Sequence, residues 1–170
     1  YMKEAGIERN PLVRIMADCL NPNHFHLLIE ETKKDGISRF MHKLGTGYTK
    51  YINKKYERVG GLFQGTFKAV EVKKDTQLQY LLAYINVINP GQELEPELKA
   101  VAQDPEEILR FAEHYPWSTH QEYLGKRTSI IADKGVAGKV FSTPAKYKAF
   151  VADIIRGKQS PLLYREVLLD

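Results

Sequence analysis

The sequence predicts an α+β fold in which helices pack against an antiparallel sheet. Two β-prone runs joined by an Asn/Pro turn lie near the start of the chain, and segments with apolar residues spaced three or four apart follow them. The 170 residues, 43% hydrophobic and 27% charged, suit a globular protein with one core. Because the chain shows neither a bilayer-length apolar stretch nor a signal peptide, we expect a cytoplasmic protein.

The first predicted element is a β-hairpin. Residues 12–20 (LVRIMADCL) and 24–31 (HFHLLIEE) are apolar and β-prone, and the turn sequence NPN at 21–23 joins them. Two such runs around an Asn/Pro turn indicate an antiparallel pair. Cys19, the lone cysteine, lies inside the first run and is predicted to be a small core residue, because no second cysteine exists for a disulfide.

A helix, a strand and a second helix are predicted to follow the hairpin. Apolar residues recur at helical spacing over residues 36–58, where two glycines then end the pattern. Residues 67–72 (FKAVEV) alternate like a strand. Asp75 or Thr76 is expected to cap a helix that runs to about Ile88, where the sequence NPG at 89–91 should stop it.

The remainder of the chain is predicted to be helical. Helices are expected at residues 105–114, 134–141 and 144–157, joined by turns. Residues 1–6 are predicted to be the end of a helix, so we expect the chain to begin partway through a βαβ-type unit. The strand that would lead such a unit, and complete the sheet, is therefore expected to be missing.

The charge distribution suggests a polyanionic partner. The net charge is only +4, but eleven Lys and Arg side chains lie between residues 33 and 74 against three carboxylates, whereas residues 93–107 are mainly acidic. A basic block of this kind is typical of a protein that binds nucleic acid. The alternative is a solvated helix face.

Two histidines, His24 and His26, form the candidate metal site. Alternate residues of a strand face the same side, so both imidazoles point one way while Phe25 and Leu27 point the other. Two imidazoles on one face can ligate one ion of zinc, manganese, copper, iron or nickel, and magnesium when oxygen ligands are added. The alternative is a pair of surface histidines that bind no metal.

The helix predicted at residues 76–88 carries the candidate nucleophile. Tyr80 and Tyr84 share a face with Gln77, away from the apolar stripe. A phenol beside a metal ion can attack phosphorus and form a phosphotyrosine bond, which conserves the energy of the broken phosphodiester. The alternative is two tyrosines at a helix–sheet interface with their hydroxyls in water.

A loop that mixes glycines, aromatic residues and a base, residues 61–68 (GLFQGTFK), is the third candidate. Such a loop lets bases stack on aromatic rings and a phosphate approach the backbone, and the alternative is a plain turn into a strand. Together with the basic helix before it, the loop is expected to bind nucleic acid. The expected contacts are Lys50, Lys54, Arg58, Phe63, Gln64 and Lys68.

In this order, the segments resemble the HUH tyrosine transposases, specifically the REP-associated tyrosine transposases and related insertion-sequence transposases that act on single-stranded DNA. The resemblance covers about residues 16–125. It rests on NHFHLLI at 23–29, YTKYINKKY at 48–56, LFQG at 62–65 with FK at 67–68, AYI at 83–85 with NP at 89–90, and YPWS at 115–118 followed by YLG at 123–125.

This resemblance implies a ferredoxin-like antiparallel sheet with helices packed on it, the HUH endonuclease fold. It implies Mg²⁺ or Mn²⁺ held by His24 and His26, and cleavage by Tyr84 that leaves a 5′-phosphotyrosine and a free 3′-hydroxyl. The expected protein is a metal-dependent single-stranded DNA endonuclease and strand transferase, a transposase acting on hairpin or repeat-end DNA. Residues 1–91 would form its N-terminally truncated core, and residues 92–170 a small helical extension on or next to that core.

The third metal ligand departs from the family pattern. In the family an asparagine usually follows the tyrosine by four positions, whereas here Ile88 stands at that position and Asn89 comes one residue later. On an α-helix the fifth residue is rotated by roughly 100° beyond the fourth. The third ligand is therefore open among Asn89, Asn86 and Gln77.

Two other functions stay open at this point. One is a non-catalytic protein that binds single-stranded or hairpin DNA and derives from such a transposase, and the other is a metal-binding α+β protein without a nucleic-acid partner. Metal-dependent nicking distinguishes the transposase from both alternatives. Salt-dependent DNA binding distinguishes the DNA-binding protein from the metal-binding protein. No membrane partner is expected, and a homodimer is compatible with the sequence.

Overall fold

The protein has an α+β fold with a two-stranded antiparallel sheet, as the sequence predicts. The computed structural model describes residues 10–158, so the helix end predicted for residues 1–6 lies outside the described residues. Strand β1 spans Val13–Leu20 and strand β2 spans Phe25–Glu31. A hydrogen bond of 2.9 Å from the main-chain N–H of Asn21 to the carbonyl of His24 closes the turn between them.

Seven α-helices and one π-helical turn follow within the described residues. They are α1 at Gly36–Lys55, α2 at Asp75–Ala83, the π turn at Tyr84–Ile88, α3 at Asn89–Gly91, α4 at Pro105–His114, α5 at His120–Tyr123, α6 at Ala137–Val140 and α7 at Pro144–Ile155. In the part of the chain described here, no helix is long and apolar enough to cross a membrane.

Three predicted elements need correction. The strand predicted at residues 67–72 does not form, and most of that segment is exposed. An alternating pattern makes a strand only beside another strand, and none of the described strands pairs with it. The helix predicted to reach residue 58 ends at Lys55, because Glu57 adopts a left-handed φ of 51°. The helix predicted at 134–141 forms only at Ala137–Val140.

The helix predicted to end at about Ile88 continues from Asp75 through the π turn and ends at Gly91, inside the segment predicted to stop it. Pro90 lies within this continuous helix, and because its nitrogen carries no hydrogen it donates no helical hydrogen bond there. Helix α4 has the predicted bounds because Pro105 starts it and the Asp104 carboxylate accepts a hydrogen bond from the Glu107 N–H.

The chain divides into two compact units. Of the described residues, the first unit contains 10–14 and 30–69, and the second contains 15–29 and 70–158. In the first unit, Gly36 starts α1 directly against Leu12, whose carbonyl oxygen leaves no room for a Cβ at this position. Only glycine fits this close approach of the two backbone segments.

The core of the second unit joins β1, the long helix and α7. Cys19 is fully buried there, as predicted, among side chains that include Leu82 and Ile154. The edge of β1 away from β2 is partly covered, because the Leu20 N–H donates to the Trp117 carbonyl at 2.8 Å and the Thr119 N–H donates to the Asp18 carbonyl at 3.0 Å. These bonds hold the hairpin turn against the later part of the chain.

Candidate metal and nucleophile site

The two histidines lie side by side at the start of β2. His24 is exposed and His26 is half-buried, and their ring centroids are 5.1 Å apart with the planes nearly perpendicular. Two imidazoles that bind one ion at about 2.1 Å, with an angle between roughly 90° and 110° at the ion, have centroids about 4.6–5.3 Å apart. The two rings are therefore spaced for one ion.

Two asparagines of the turn fix the orientation of His24. Its Nδ1 lies 2.7 Å from the Asn23 carbonyl-type oxygen, which only accepts, so Nδ1 carries the proton and donates. The Nε2 atom is then the acceptor, and it receives a hydrogen bond of 2.8 Å from the Asn21 amide. This tautomer leaves Nε2 unprotonated, as a metal ligand requires, with its lone pair directed at the Asn21 amide nitrogen.

Tyr84 lies directly against His26. Their ring centroids are 5.5 Å apart, in an edge-to-face arrangement. Burial raises the pKa of the Tyr84 phenol; the Asn89 amide, which faces the phenol, offsets part of this rise, and Cys19 adds slightly to it. The hydroxyl is consequently protonated at neutral pH until a positive charge or a base arrives beside it.

The π turn explains how Asn89 reaches this site despite its extra residue. A π turn closes its hydrogen bond over five residues instead of four, and here the Asn89 N–H bonds to the Tyr84 carbonyl. The fifth residue thereby takes the place that the fourth has on an α-helix. Asn89 is buried beneath Tyr84, with its amide oxygen accepting from the Asn21 amide.

The other candidates for the third ligand have different partners. The Asn86 amide donates to the Tyr147 hydroxyl at 3.1 Å and accepts from the Thr119 hydroxyl at 2.8 Å, inside the core. The Gln77 amide oxygen accepts from the Lys73 N–H at 3.0 Å. Of the three candidates, Asn89 is the one beside Tyr84.

Tyr80, the alternative nucleophile, points elsewhere. Its side chain is only 1% exposed, and its hydroxyl donates to the Lys99 carbonyl at 3.0 Å. The helix face that it shares with Tyr84 is therefore covered at one end and accessible at the other. The structure brings His24, His26, Tyr84 and Asn89 together and keeps the Tyr80 hydroxyl engaged.

These residues offer nitrogen and oxygen ligands to one divalent ion. The lone pairs of His24 Nε2 and the Asn89 amide oxygen converge on one atom, the Asn21 amide nitrogen, and the same convergence serves a cation. The buried amide nitrogen of Asn89 has no hydrogen-bond partner of normal geometry among the described residues. Between residues 10 and 158, no group of three or more His, Cys, Asp or Glu side chains is arranged to hold a metal ion, so further ligands would be water or phosphate oxygens, as is common for Mg²⁺.

The residues expected to bind DNA all lie in the first unit. The helix residues Lys50 and Lys54 are exposed, as are the residues after α1 in this set, Arg58, Phe63, Gln64 and Lys68. Two tyrosines of the same helix were not predicted as DNA contacts. Tyr48 and Tyr51 are stacked with centroids 6.5 Å apart, and Phe63 lies 6.3 Å from Tyr48. Their spacing of three residues on a helix was the available signal.

Asn21 and Asn23 were also missed as site residues, although they flank Pro22 directly before His24. Their amides contact the His24 ring on both nitrogens. An asparagine on each side of a turn proline is ordinary turn chemistry, which hides a second role. The structure thus adds two positioning residues to the predicted set.

Comparison with known proteins identifies one family. A family model described as transposase, IS200-like, matches residues 5–87. The matched range includes both histidines and Tyr84, and Asn89 lies two residues beyond the end of that range. No curated protein and no solved structure matched the chain.

Proposed function

Through residues 5–87 the chain belongs to the IS200-like transposase family, and from this membership we propose a metal-dependent endonuclease and strand transferase that acts on single-stranded DNA. The proposal is supported most directly by one observation. The Tyr84 ring lies 5.5 Å from the ring of His26, which itself lies 5.1 Å from that of His24. A phenol and two potential metal ligands are therefore within reach of one phosphate group.

The proposed step is an exchange of one phosphodiester for another. The Tyr84 oxygen attacks phosphorus, the bond from phosphorus to the 3′-oxygen breaks, and the phenolic proton leaves while the 3′-oxygen gains one. The product is a 5′-phosphotyrosine and a free 3′-hydroxyl. Attack by another 3′-hydroxyl on the phosphotyrosine reverses these bond changes and joins two strands.

The surrounding residues prepare this exchange. Burial lowers the pKa of His26 to about 4, with a smaller contribution from His24, so the imidazole is neutral at pH 7 and its lone pair is free to ligate. A bound Mg²⁺ or Mn²⁺, held by His24, His26 and Asn89, would supply positive charge beside the phosphate oxygens. The Asn89 amide faces the Tyr84 phenol and favours its ionised form.

The first unit offers a surface for the strand itself. Lys50, Lys54 and Arg58 can pair with phosphates, and Lys68 and Gln64 extend this surface along the loop. The exposed rings of Tyr48, Tyr51 and Phe63 offer flat faces on which unpaired bases stack. Paired bases hide their faces in the duplex, so this combination favours single-stranded DNA.

Covalent capture tests the proposal. Single-stranded hairpin oligonucleotides taken from the DNA that flanks the gene are incubated with Mn²⁺ and the protein, and adducts are detected on a denaturing gel. We expect an adduct with the wild type and none with Tyr84→Phe. DNA affinity should be retained, because that variant loses one hydroxyl.

Tyr80→Phe is the matched control, since it removes the same hydroxyl four residues earlier and should retain the adduct. Proteolysis and mass spectrometry then locate the modified tyrosine. An adduct on Tyr80 would show the nucleophile to be wrongly assigned. Tight DNA binding with no adduct from any flanking hairpin would favour the non-catalytic binding protein instead.

A further inference from the structure

A pocket of about 430 Å³ opens in the second unit beside the hairpin turn. Asn21 and Pro22 of the turn line one side, and Glu93, Phe111, Tyr115 and Trp117 contribute to the remainder. Its volume lies within the range of roughly 300–1,000 Å³ that is usual for small-molecule sites. None of the residues proposed to bind the metal or to attack DNA lines this pocket.

Three of the eight residues that line the pocket are aromatic: Phe111, Tyr115 and Trp117. Trp117, the single tryptophan of the chain, is 60% exposed, whereas tryptophan side chains are highly buried on average. Its main chain is tied down, because its carbonyl accepts from the Leu20 N–H at 2.8 Å. Phe111 and Tyr115 also line the pocket, and their ring centroids are 5.7 Å apart. An exposed indole at a pocket that also contains two other aromatic rings offers a flat face to a planar ring that enters from solvent.

Glu93 gives the pocket its polar selectivity. One oxygen of its carboxylate accepts from the Tyr115 hydroxyl at 2.8 Å, and that hydroxyl also lies 2.8 Å from the Leu20 carbonyl. A carboxylate has about four acceptor positions, so most of them stay available. It repels phosphate and accepts N–H donors, which the amino groups of guanine, adenine and cytosine supply. Thymine presents one N–H between two carbonyl oxygens, which the carboxylate repels.

The pocket adjoins the candidate site through Asn21. This side chain lines the pocket, and its amide donates both to His24 Nε2 at 2.8 Å and to the Asn89 amide oxygen. A base in the pocket therefore belongs to a nucleotide close to the phosphate held at His24. A base paired in a duplex would not reach it, because only an unstacked base can enter such a pocket.

We propose that this pocket binds one unpaired nucleobase next to the phosphate that Tyr84 attacks, and that Glu93 selects a base with an amino group over thymine. The inference rests on the proposed single-strand function and specifies its substrate. Guanine is the best fit, because its N1–H and amino group present two adjacent donors to the two carboxylate oxygens. The base wedges against Trp117, and its identity sets where the strand is cut.

The fluorescence of Trp117, the only tryptophan, reports on the pocket directly. Short single strands with G, A, C, T or an abasic site at one position are titrated into Tyr84→Phe protein, which cannot react, while anisotropy records total binding. We expect quenching of Trp117 by strands with G, A or C. The affinity should be about tenfold weaker for strands with T or the abasic site, the loss expected when one base contact is removed.

Two variants separate the base contact from general DNA binding. Trp117→Ala should remove the advantage of a base over the abasic site and leave the affinity for the abasic strand unchanged. Glu93→Gln should reduce the preference against T to less than about threefold, because an amide both donates and accepts. Glu97→Gln is the matched control, since it neutralises a nearby exposed carboxylate outside the pocket lining, and it should keep the preference.

The outcomes are distinct from those of the covalent capture test. Strands that bind by anisotropy without quenching Trp117, or that show no base preference, would overturn the pocket while leaving the transposase reaction intact. Base-dependent quenching with no adduct would support the pocket in a non-catalytic protein. Quenching that follows protein concentration without DNA would show that a second copy of the chain occupies the pocket, and the proposal would fail.

Discussion

Two clusters of polar side chains in the second unit use the same residue types in different surroundings. The core cluster contains His120, Tyr147, Asn86 and Thr119, and the site cluster contains His24, His26, Tyr84 and Asn89. Each cluster takes one asparagine from the same helix, three residues apart. The core cluster is buried throughout, whereas the site cluster ends at the exposed His24.

The hydrogen bonds of the core cluster are complete. Asn86 donates to the Tyr147 hydroxyl at 3.1 Å, which leaves that hydroxyl to donate to Nδ1 of His120 at 2.8 Å, and Thr119 donates to the Asn86 oxygen at 2.8 Å. In the site cluster, the buried Asn89 amide nitrogen lacks a partner of normal geometry. A complete network stabilises the fold, while an incomplete one that reaches solvent is suited to bind something.

Residue types alone therefore do not separate the two roles. A histidine, a tyrosine and an asparagine close together describe both clusters equally well. What differs is access and the direction of the acceptor atoms, which converge on a single amide nitrogen in the site cluster. If this difference is functional, equivalent substitutions should affect metal binding and catalysis in one cluster and folding stability in the other.

The largest contrast is expected for the histidines. His24→Ala should weaken Mn²⁺ binding on the order of 100-fold or more, because it removes a direct ligand. His120→Ala should leave Mn²⁺ affinity within about threefold of the wild type, below the smallest loss typical of metal-site changes. Isothermal titration below the unfolding temperature measures both. Equal losses in the two variants would remove the distinction between the clusters.

Acid should destabilise the protein through the core cluster. Burial lowers the pKa of His120 to about 4; Glu113 opposes this shift, while Lys148 and Lys126 add to it. The unfolded chain binds a proton near pH 6.5 and the folded chain does not, so stability falls as pH drops from about 6.5 to 4 and levels off below. The loss from His120 amounts to at most about 3 kcal/mol.

Urea unfolding at pH 7 and pH 4.5 tests this expectation, with His120→Gln as the comparison. Glutamine keeps an acceptor for Tyr147 and does not titrate. His26 has a pKa lowered to about 4 as well, so the variant should retain part of the pH dependence. A pH dependence identical to the wild type would show that His120 is not the group that titrates.

The next difference is expected between the hydroxyls of Tyr147 and Tyr84, in their contribution to stability. Tyr147→Phe leaves His120 and Asn86 short of a buried partner and should cost about 1–3 kcal/mol of unfolding free energy. Tyr84→Phe should change stability by less than about 0.5 kcal/mol, since its hydroxyl makes no complete hydrogen bond to lose. Denaturant unfolding measures both, and adduct formation by Tyr147→Phe should survive. A Tyr147→Phe protein as stable as the wild type would contradict the structural role of the core cluster.

Local signals were sufficient to predict several elements. The turn sequence NPN predicts the hairpin and with it the shared face of His24 and His26, because strand alternation is set by the backbone alone. The pair Asp104 and Pro105 predicts the start of α4, since a cap and a first-turn proline act within one turn of helix. Neither prediction depends on the rest of the chain.

Features that depend on tertiary packing could not be predicted in this way. The π turn forms where Val87 and Ile88 are both buried, and helical spacing of apolar residues does not distinguish it from an α-helix. The choice between Tyr80 and Tyr84 depends on the Lys99 carbonyl, which the fold brings to Tyr80. The failed strand at residues 67–72 shows the same limit, because alternation cannot supply a neighbouring strand.

The smallest expected effect concerns Asn23, which accepts the Nδ1 proton of His24 at 2.7 Å. Without this acceptor the imidazole loses its preference for the tautomer that presents Nε2, so Asn23→Ala should weaken Mn²⁺ binding about tenfold. Stability should be unchanged, because Asn23 is exposed. Asn23→Asp keeps an acceptor oxygen and should bind Mn²⁺ at least as well as the wild type. Nitrogen-15 NMR of the imidazole identifies the tautomer directly, and Mn²⁺ titration gives the affinity. Wild-type affinity in Asn23→Ala would mean that the turn does not orient the ligand, and that the exposed end of the site cluster is held by Asn21 alone.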